Sequence, residues 1–350
     1  MKKKQWIVVL VVLALVAALL VWGRDSIHFD FRLFRDQVAQ TRWWMIALGV
    51  GAICTAYLFR SARWAWLMRH NQQVGLFSLL GTQIMGFTAV ALIGRVADPV
   101  RPYLVSKRTG SPLGIQIAIY IVERLFDFGS MALIISSVIL TSPADSLPHP
   151  KALHMAGFGM LAGTIGAGVF LFFVRLFGKA IATVFEKCFG LISPKLGHTA
   201  GSKIRSFHAG LDTMRSFSDF LITLSLSLVM WLLITVAYIV TLRAFVASPE
   251  LATMNLPKCV VLMAISGGAS AIQLPIIGWF SQIALVAASL NKIFLVAPEA
   301  ATASAAMLLF VTFLCIVPIG LIWAQVENIN LRSVTSESGK AGEELEVDIE

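Results

Sequence analysis

Charge is what this chain has least of. Only 13% of its 350 residues are Asp, Glu, Lys or Arg, while 57% are hydrophobic. A water-soluble domain carries about 25% charged residues to wet its surface, so this composition excludes a fold that lives mainly in water. The signatures of soluble chemistry are missing too. The six histidines form no H-x-x-x-H or H-E-x-x-H pattern, no serine sits in a G-x-S-x-G elbow, and no phosphate-loop run occurs. The four cysteines, Cys54, Cys188, Cys259 and Cys315, have no ligand spacing, so neither a disulfide framework nor a metal site is expected. No polar segment is long enough for a separate catalytic domain, and no enzyme activity or cofactor is expected. Nothing resembles a nucleic-acid module. The excess of 28 Lys and Arg over 19 Asp and Glu bears instead on membrane topology, because basic residues gather in cytoplasmic loops.

What is present is a series of apolar segments. The run 6–22 follows three lysines and exceeds the roughly 7–15 residues of a signal-peptide core. It reads as a retained first helix with its N-terminus in the cytoplasm. Further runs at 43–68, 76–94, 113–140, 153–174, 219–246, 258–297 and 301–325 bring the total to eight, each near or beyond the ~20 residues that span a bilayer. The predicted fold is all-α: one integral membrane domain over 1–330, then an acidic, disordered cytoplasmic tail over 331–350. Two stretches carry an interfacial stripe. One is Phe177, Ile181, Phe185, Cys188 and Ile192; the other is Ile27, Phe31, Phe34 and Val38, with Asp30 as a cap. Solvated connectors with one apolar side fit these stretches equally well.

Basic residues decide the topology. If every segment crossed once, the seven Lys and Arg of 175–215 would lie outside, against the positive-inside rule. The conflict disappears if 76–94 dips in from the cytoplasm and returns through 95–112. The run 258–297 is too long for one helix and is broken at Gln273-Leu274-Pro275-Ile276-Ile277-Gly278, since Pro and Gly disfavour a helix interior. It reads as a second hairpin entering from outside. The expectation is therefore about six transmembrane helices plus two re-entrant hairpins of opposite orientation. Such an inverted repeat places a substrate site where broken helices meet.

Three stretches carry the candidate site. The first, Gly94-Arg95-Val96-Ala97-Asp98-Pro99-Val100-Arg101-Pro102-Tyr103, sets two arginines, an acid and two prolines between apolar runs. Irregular backbone at membrane depth survives only where protein or a wet cavity covers it, and the arginine fork suits phosphate. An ordinary basic cytoplasmic loop is the alternative. The second is Glu123, Arg124 and Asp127 inside an apolar run, where each charge costs ~2.5–3.5 kcal/mol. Glu123 and Asp127 share a helix face and repel, so they require a cation such as Arg124, Arg95 or Arg101. A purely structural ion-pair cluster and a functional one are both compatible with that. At the second break, Gln273 and Pro275 offer an uncharged counterpart.

At these stretches the chain resembles the lysylphosphatidylglycerol synthase transmembrane-region family, also described as flippase-like. Ala97-Asp98-Pro99-Val100-Arg101-Pro102 matches its glycine-acid-x-x-arginine-proline run. Glu123-Arg124-Leu125-Phe126-Asp127 matches its glutamate-arginine-x-x-aspartate run, and Leu274-Pro275-Ile276-Ile277-Gly278 its late proline-glycine break. The likeness extends upstream to Leu58-Phe59-Arg60-Ser61-Ala62-Arg63-Trp64 and covers most of 40–325. Ala97 and Asp98 replace the usual glycine and glutamate, Pro99 is additional, and Trp279 stands for a common glycine. The resemblance implies the membrane half without the cytoplasmic synthase. It implies a lipid translocase of the plasma membrane that handles an anionic or zwitterionic headgroup, while the charge distribution puts both termini in the cytoplasm. Arg95 and Arg101 would hold phosphate. Glu123 and Asp127 would hold those arginines or a headgroup amine, balanced by Arg124, with Asp98 at the hairpin tip and Gln273 and Pro275 opposite. An accessory subunit for a separately encoded lipid-modifying enzyme, or an intramembrane transferase using Glu123 or Asp127 as base, are the alternatives.

Overall fold

The computed structural model describes residues 30–143, 146–147, 150–190, 193, 216–270 and 277–347. Helix α1 (Phe31–Ala39) is capped as its sequence predicts: the Asp30 carboxylate accepts from the amides of Arg32 at 2.7 Å and Leu33 at 3.4 Å, satisfying donors a helix start leaves open. Helices α2 (Trp43–Met68) and α3 (Leu76–Ile93) follow. Gly94 then takes φ +92°, a conformation that side chains with a Cβ resist, and turns the chain into a single 3-10 turn, Arg95–Ala97. Helix α4 (Val100–Thr109) starts after Pro99 and stops on left-handed Gly110. Next come α5 (Leu113–Thr141), α6 (Pro150–Gly190), α7 (Phe217–Arg243), α8 (Pro249–Ala252), α9 (Leu256–Ser270) and α10 (Ile277–Phe294). The chain continues through α11 (Pro298–Thr312), a 3-10 turn at Leu314–Ile316, α12 (Val317–Val326) and α13 (Leu331–Val347). No strand occurs among the described residues.

The centre is an antiparallel pair, α2 against α7. The Arg42 amide donates to the Ala244 carbonyl at 2.9 Å at one end, Arg63 reaches Ser227 at 2.6 Å, and Arg69 pairs with Asp219 at the other end. Helices α3 and α4 fold back on each other, with Arg108 donating to Thr82 at 3.3 Å. The two ends of this hairpin meet, because Ser111 Oγ donates to Gln72 Oε1 at 2.9 Å. It opens at the Arg69 end of the central pair. Helices α9 and α10 also fold back, Gln282 donating to Ser266 at 3.1 Å. They open at the Arg42 end: Arg243 donates to the Met254 carbonyl at 2.8 Å just before α9, and the Asp30 amide donates to Glu299 at 3.0 Å just after α10.

Four described helices are long and apolar enough to cross a membrane: Trp43–Met68, Leu76–Ile93, Pro150–Phe170 and Phe217–Arg243. The pair Pro298–Thr312 and Leu314–Val326, bent by 43°, passes the same test only when taken together, which puts the number of spans at four or five. Sequence had suggested about six crossings. The difference lies partly in α5, whose 29 residues are long enough but carry Glu123, Arg124 and Asp127 in mid-helix. The run 6–22 and the break at 271–276, with Gln273 and Pro275, lie outside the described residues. Helix α3, read from sequence as one arm of a hairpin, is 18 residues, about 27 Å at 1.5 Å per residue. The apolar helix α6 keeps only 6% of its spanning window buried within the protein, leaving Met155, Phe158 and Ile165 exposed. A surface of that kind is wetted by lipid rather than water.

Three elements depart from the sequence reading. The last run, expected as one crossing, breaks at Phe313 (φ −136°, ψ −51°), ahead of Pro318, whose ring clashes with the carbonyl a turn earlier. The segment after the fifth run follows the fifth helix with no connector between them. Two helices meet within Pro150–Gly190 at a kink whose residue, Phe177, is not helical (φ −124°, ψ 22°), and beyond it Ala182 is buried while Cys188 stays exposed. The acidic tail, expected without structure, is helical over Leu331–Val347 and buries Val334 and Ser338.

Candidate functional site

Three helices bring a charged cluster together inside the protein. Glu123 on α5 meets Arg101 of α4 at 2.5 Å, Arg63 of α2 at 2.8 Å and Arg60 of α2 at 3.4 Å. Asp127, one turn further on, meets Arg63 at 2.8 Å, Arg60 at 3.5 Å and Arg124 at 3.8 Å. The two acids are one turn apart and require cations, and Arg60 and Arg63, three apart on α2, present both on one face. Four arginines against two acids leave a formal surplus of two positive charges. Buried charges are retained only when paired and hydrogen-bonded. Arg101 is paired with Glu123, while its Nη1 has no hydrogen-bond partner among the described residues. Its Nε donates to Gln83 at 2.9 Å and its guanidinium lies 4.3 Å from the Phe87 ring centroid. Gly86 makes this possible, since a Cβ there would overlap the Arg101 side chain.

In front of this ion-pair layer lies a cavity of about 200 Å³. The tip of the first hairpin contributes Arg95 and Asp98, paired at 3.6 Å. Arg60 and Arg124 extend into the same space, and the other half of the chain contributes Tyr238, Ser266 and Gln282. Tyr238 donates to Ser266 at 2.9 Å, and Phe313, at the break in the last crossing, adjoins the cavity. Gln282 Oε1, Trp231 Nε1 and Arg124 Nε are buried with no hydrogen-bond partner among the described residues. Each is a polar atom whose burial is costly until something pairs with it.

The residues singled out from sequence, apart from Gln273 and Pro275, which lie outside the described residues, fall into two groups. Arg95, Asp98 and Arg124 line the cavity. Arg101, Glu123 and Asp127 lie behind it, all but removed from the surface. Arg101, expected to take phosphate directly, is instead enclosed by Glu123, Gln83 and Phe87. Arg60 and Arg63, which the sequence offered only within the family-like run Leu58–Trp64, were not counted among the site residues. The signal that would have placed them in the site was their three-residue spacing inside an apolar run. Tyr238, Ser266 and Gln282 were not singled out, and an isolated polar residue in a long apolar run carries no local signal of its partners.

The model of a protein family, the lysylphosphatidylglycerol synthase TM region, matches residues 6–320. The chain belongs to that family. No curated protein and no solved structure gives a match. The match spans the central pair, both hairpins and the charged cluster, so the family's membrane region is the whole frame that holds the site. Together with its apolar helices, membership makes the chain an integral membrane protein related to lipid handling.

Proposed function

We propose that this protein is a lipid translocase that moves a phosphate-bearing headgroup through the cavity between its two hairpins. The observation that carries the reading is the convergence of Arg60, Arg95 and Arg124 on one cavity against a single carboxylate, Asp98. Arg60 lies eight residues before the end of α2, about 12 Å in from that end at 1.5 Å per residue. A headgroup phosphate sheds water as it leaves the interface, and guanidinium forks replace that water with charge-assisted hydrogen bonds. The cavity is smaller than the ~300–1,000 Å³ of sites that enclose a drug-sized ligand. It suits a headgroup whose acyl chains remain in the bilayer.

In this reading the two hairpins are re-entrant, and each approaches the cavity from its own leaflet. Rocking one half against the other would expose the cavity alternately. Arg63, Arg101, Glu123 and Asp127 hold the moving elements in register and do not touch the headgroup. The end bearing Arg69, Lys107 and Arg108 is cytoplasmic by the positive-inside rule, and the membrane is the plasma membrane. With no nucleotide motif in the sequence, transport is passive or ion-coupled. A separately encoded lipid-modifying enzyme is the natural supplier of the cargo. The test is a leaflet-resolved assay on vesicles containing the purified protein and lipids of several headgroups. Faster redistribution of a phosphate-bearing lipid, lost in Arg60→Gln and Arg124→Gln, supports the reading; equal rates with and without protein sink it.

A further inference from the structure

A second polar cavity, of about 470 Å³, lies away from the first, between the returning arm of the first hairpin and the last helix. Two carboxylates of the C-terminal segment occupy its donors. Glu337 accepts from the Tyr103 hydroxyl at 3.0 Å and lies 3.8 Å from the Lys107 ammonium. Glu327 accepts from Arg108 at 2.8 Å and from the Trp323 indole at 3.0 Å. Donors from α4 and α12 thus converge on anions supplied by the chain itself. Met85, Leu104 and Val334 form an apolar wall beside them.

The Lys107–Glu337 pair is open to solvent, at 64% and 48% exposed, and the Arg108–Glu327 pair is partly so, at 34% and 21%. Exposed ion pairs are worth about 0.2–1 kcal/mol each, so the carboxylates are replaceable by another anion. Helix α13 is otherwise held by a short apolar edge, Leu331 and Val334 with Ile329 before it. The cavity opens at the same end of the protein as the mouth of the first hairpin, where Ser111 meets Gln72.

We propose that this cavity is a second phospholipid site, and that Glu327 and Glu337 are internal stand-ins for the lipid phosphate. A lipid phosphate would take the hydrogen bonds of Tyr103, Lys107 and Arg108, lay its glycerol against the apolar wall, and release α13. The last helix then acts as a strap that yields to anionic lipid at the mouth of the hairpin. No residue of the Arg60–Arg95–Arg124 cavity takes part, so the two readings stand or fall separately.

The test uses the full chain in phosphate-free maltoside micelles, with phosphatidylglycerol as the probe and bound lipid counted by native mass spectrometry. Glu337→Gln removes a competitor and is expected to raise affinity by about two- to fivefold, the equivalent of one exposed ion pair. Lys107→Gln with Arg108→Gln is expected to lower affinity below that of the unaltered chain. Spin labels at Gln72→Cys and Ser336→Cys should move apart as lipid is added. Unchanged affinity in Glu337→Gln, or a label distance indifferent to lipid, would overturn the proposal. Equal displacement of α13 by inorganic phosphate would overturn the lipid assignment.

Discussion

Arg101 and Glu123 meet at 2.5 Å with 0% and 1% of their side chains exposed, twenty-two residues apart in sequence and on different helices. The pair ties the returning arm of the first hairpin to α5. Glu123 also holds Arg63 of α2 at 2.8 Å, so one carboxylate fixes three elements of the membrane domain.

Removing one partner of a buried pair leaves a charge without compensation, at about 3–5 kcal/mol. Arg101→Met is therefore expected to lower the unfolding temperature sharply in lipid nanodiscs, as measured by intrinsic fluorescence. Arg101→Lys should rescue only part of the loss. A single ammonium does not reproduce the fork that reaches Gln83 and Glu123 together. Stability of Arg101→Met equal to that of the unaltered chain would mean the pair is not formed in the bilayer.

The cavity arginines should behave oppositely. Arg60→Gln and Arg124→Gln leave Glu123 and Asp127 with Arg63, so the expected loss of stability is smaller than for Arg101→Met. Their effect belongs in lipid redistribution, where each should slow transport of a phosphate-bearing headgroup at least as much as Arg101→Lys does. Transport that tracks unfolding temperature across all of these variants would argue that the arginines are only structural.

Gly86 offers a steric test of the same geometry. A Cβ there overlaps Arg101, whereas one at Gly51 meets nothing within 4 Å. Gly86→Ala is expected to destabilise by about 1–3 kcal/mol, the usual cost of overpacking, and Gly51→Ala to be nearly neutral. Parallel thermal melts of the two variants decide the matter.

How far the sequence made this structure legible depends on the range of the signal. The first hairpin's turn was readable because Gly94 and Pro99 act locally on the backbone. Glu123 and Asp127 declared their need for cations, but the sequence named only nearby or suspected partners. Arg63 and Arg60 supply two of the four arginines from about sixty residues away, a pairing no local pattern encodes. The direct junction inside α6 was missed because hydropathy falls near residue 175, whereas a second helix begins at once beyond the non-helical Phe177. The structured tail was missed because composition alone does not register the edge of α4 on which Val334 packs.

The direction of the two hairpins yields the last prediction. Gln72 and Arg332 lie at one end of the central pair and Thr253 at the other, and all three are exposed. With exposed Cys188 replaced by serine, a membrane-impermeant maleimide should label Gln72→Cys and Arg332→Cys from one face and Thr253→Cys from the opposite face. Val96, at the tip of the first hairpin, is 76% exposed and separates re-entry from crossing. If α3 and α4 form a re-entrant hairpin, Val96→Cys stays shielded from the far face, because its tip ends within the bilayer. If α3 crosses alone, its ~27 Å suffices to bring the tip out, and Val96→Cys labels from the same face as Thr253→Cys. Labelling of Val96→Cys there would leave the charged cluster intact and remove the opposed re-entrant hairpins on which alternate access to the cavity depends.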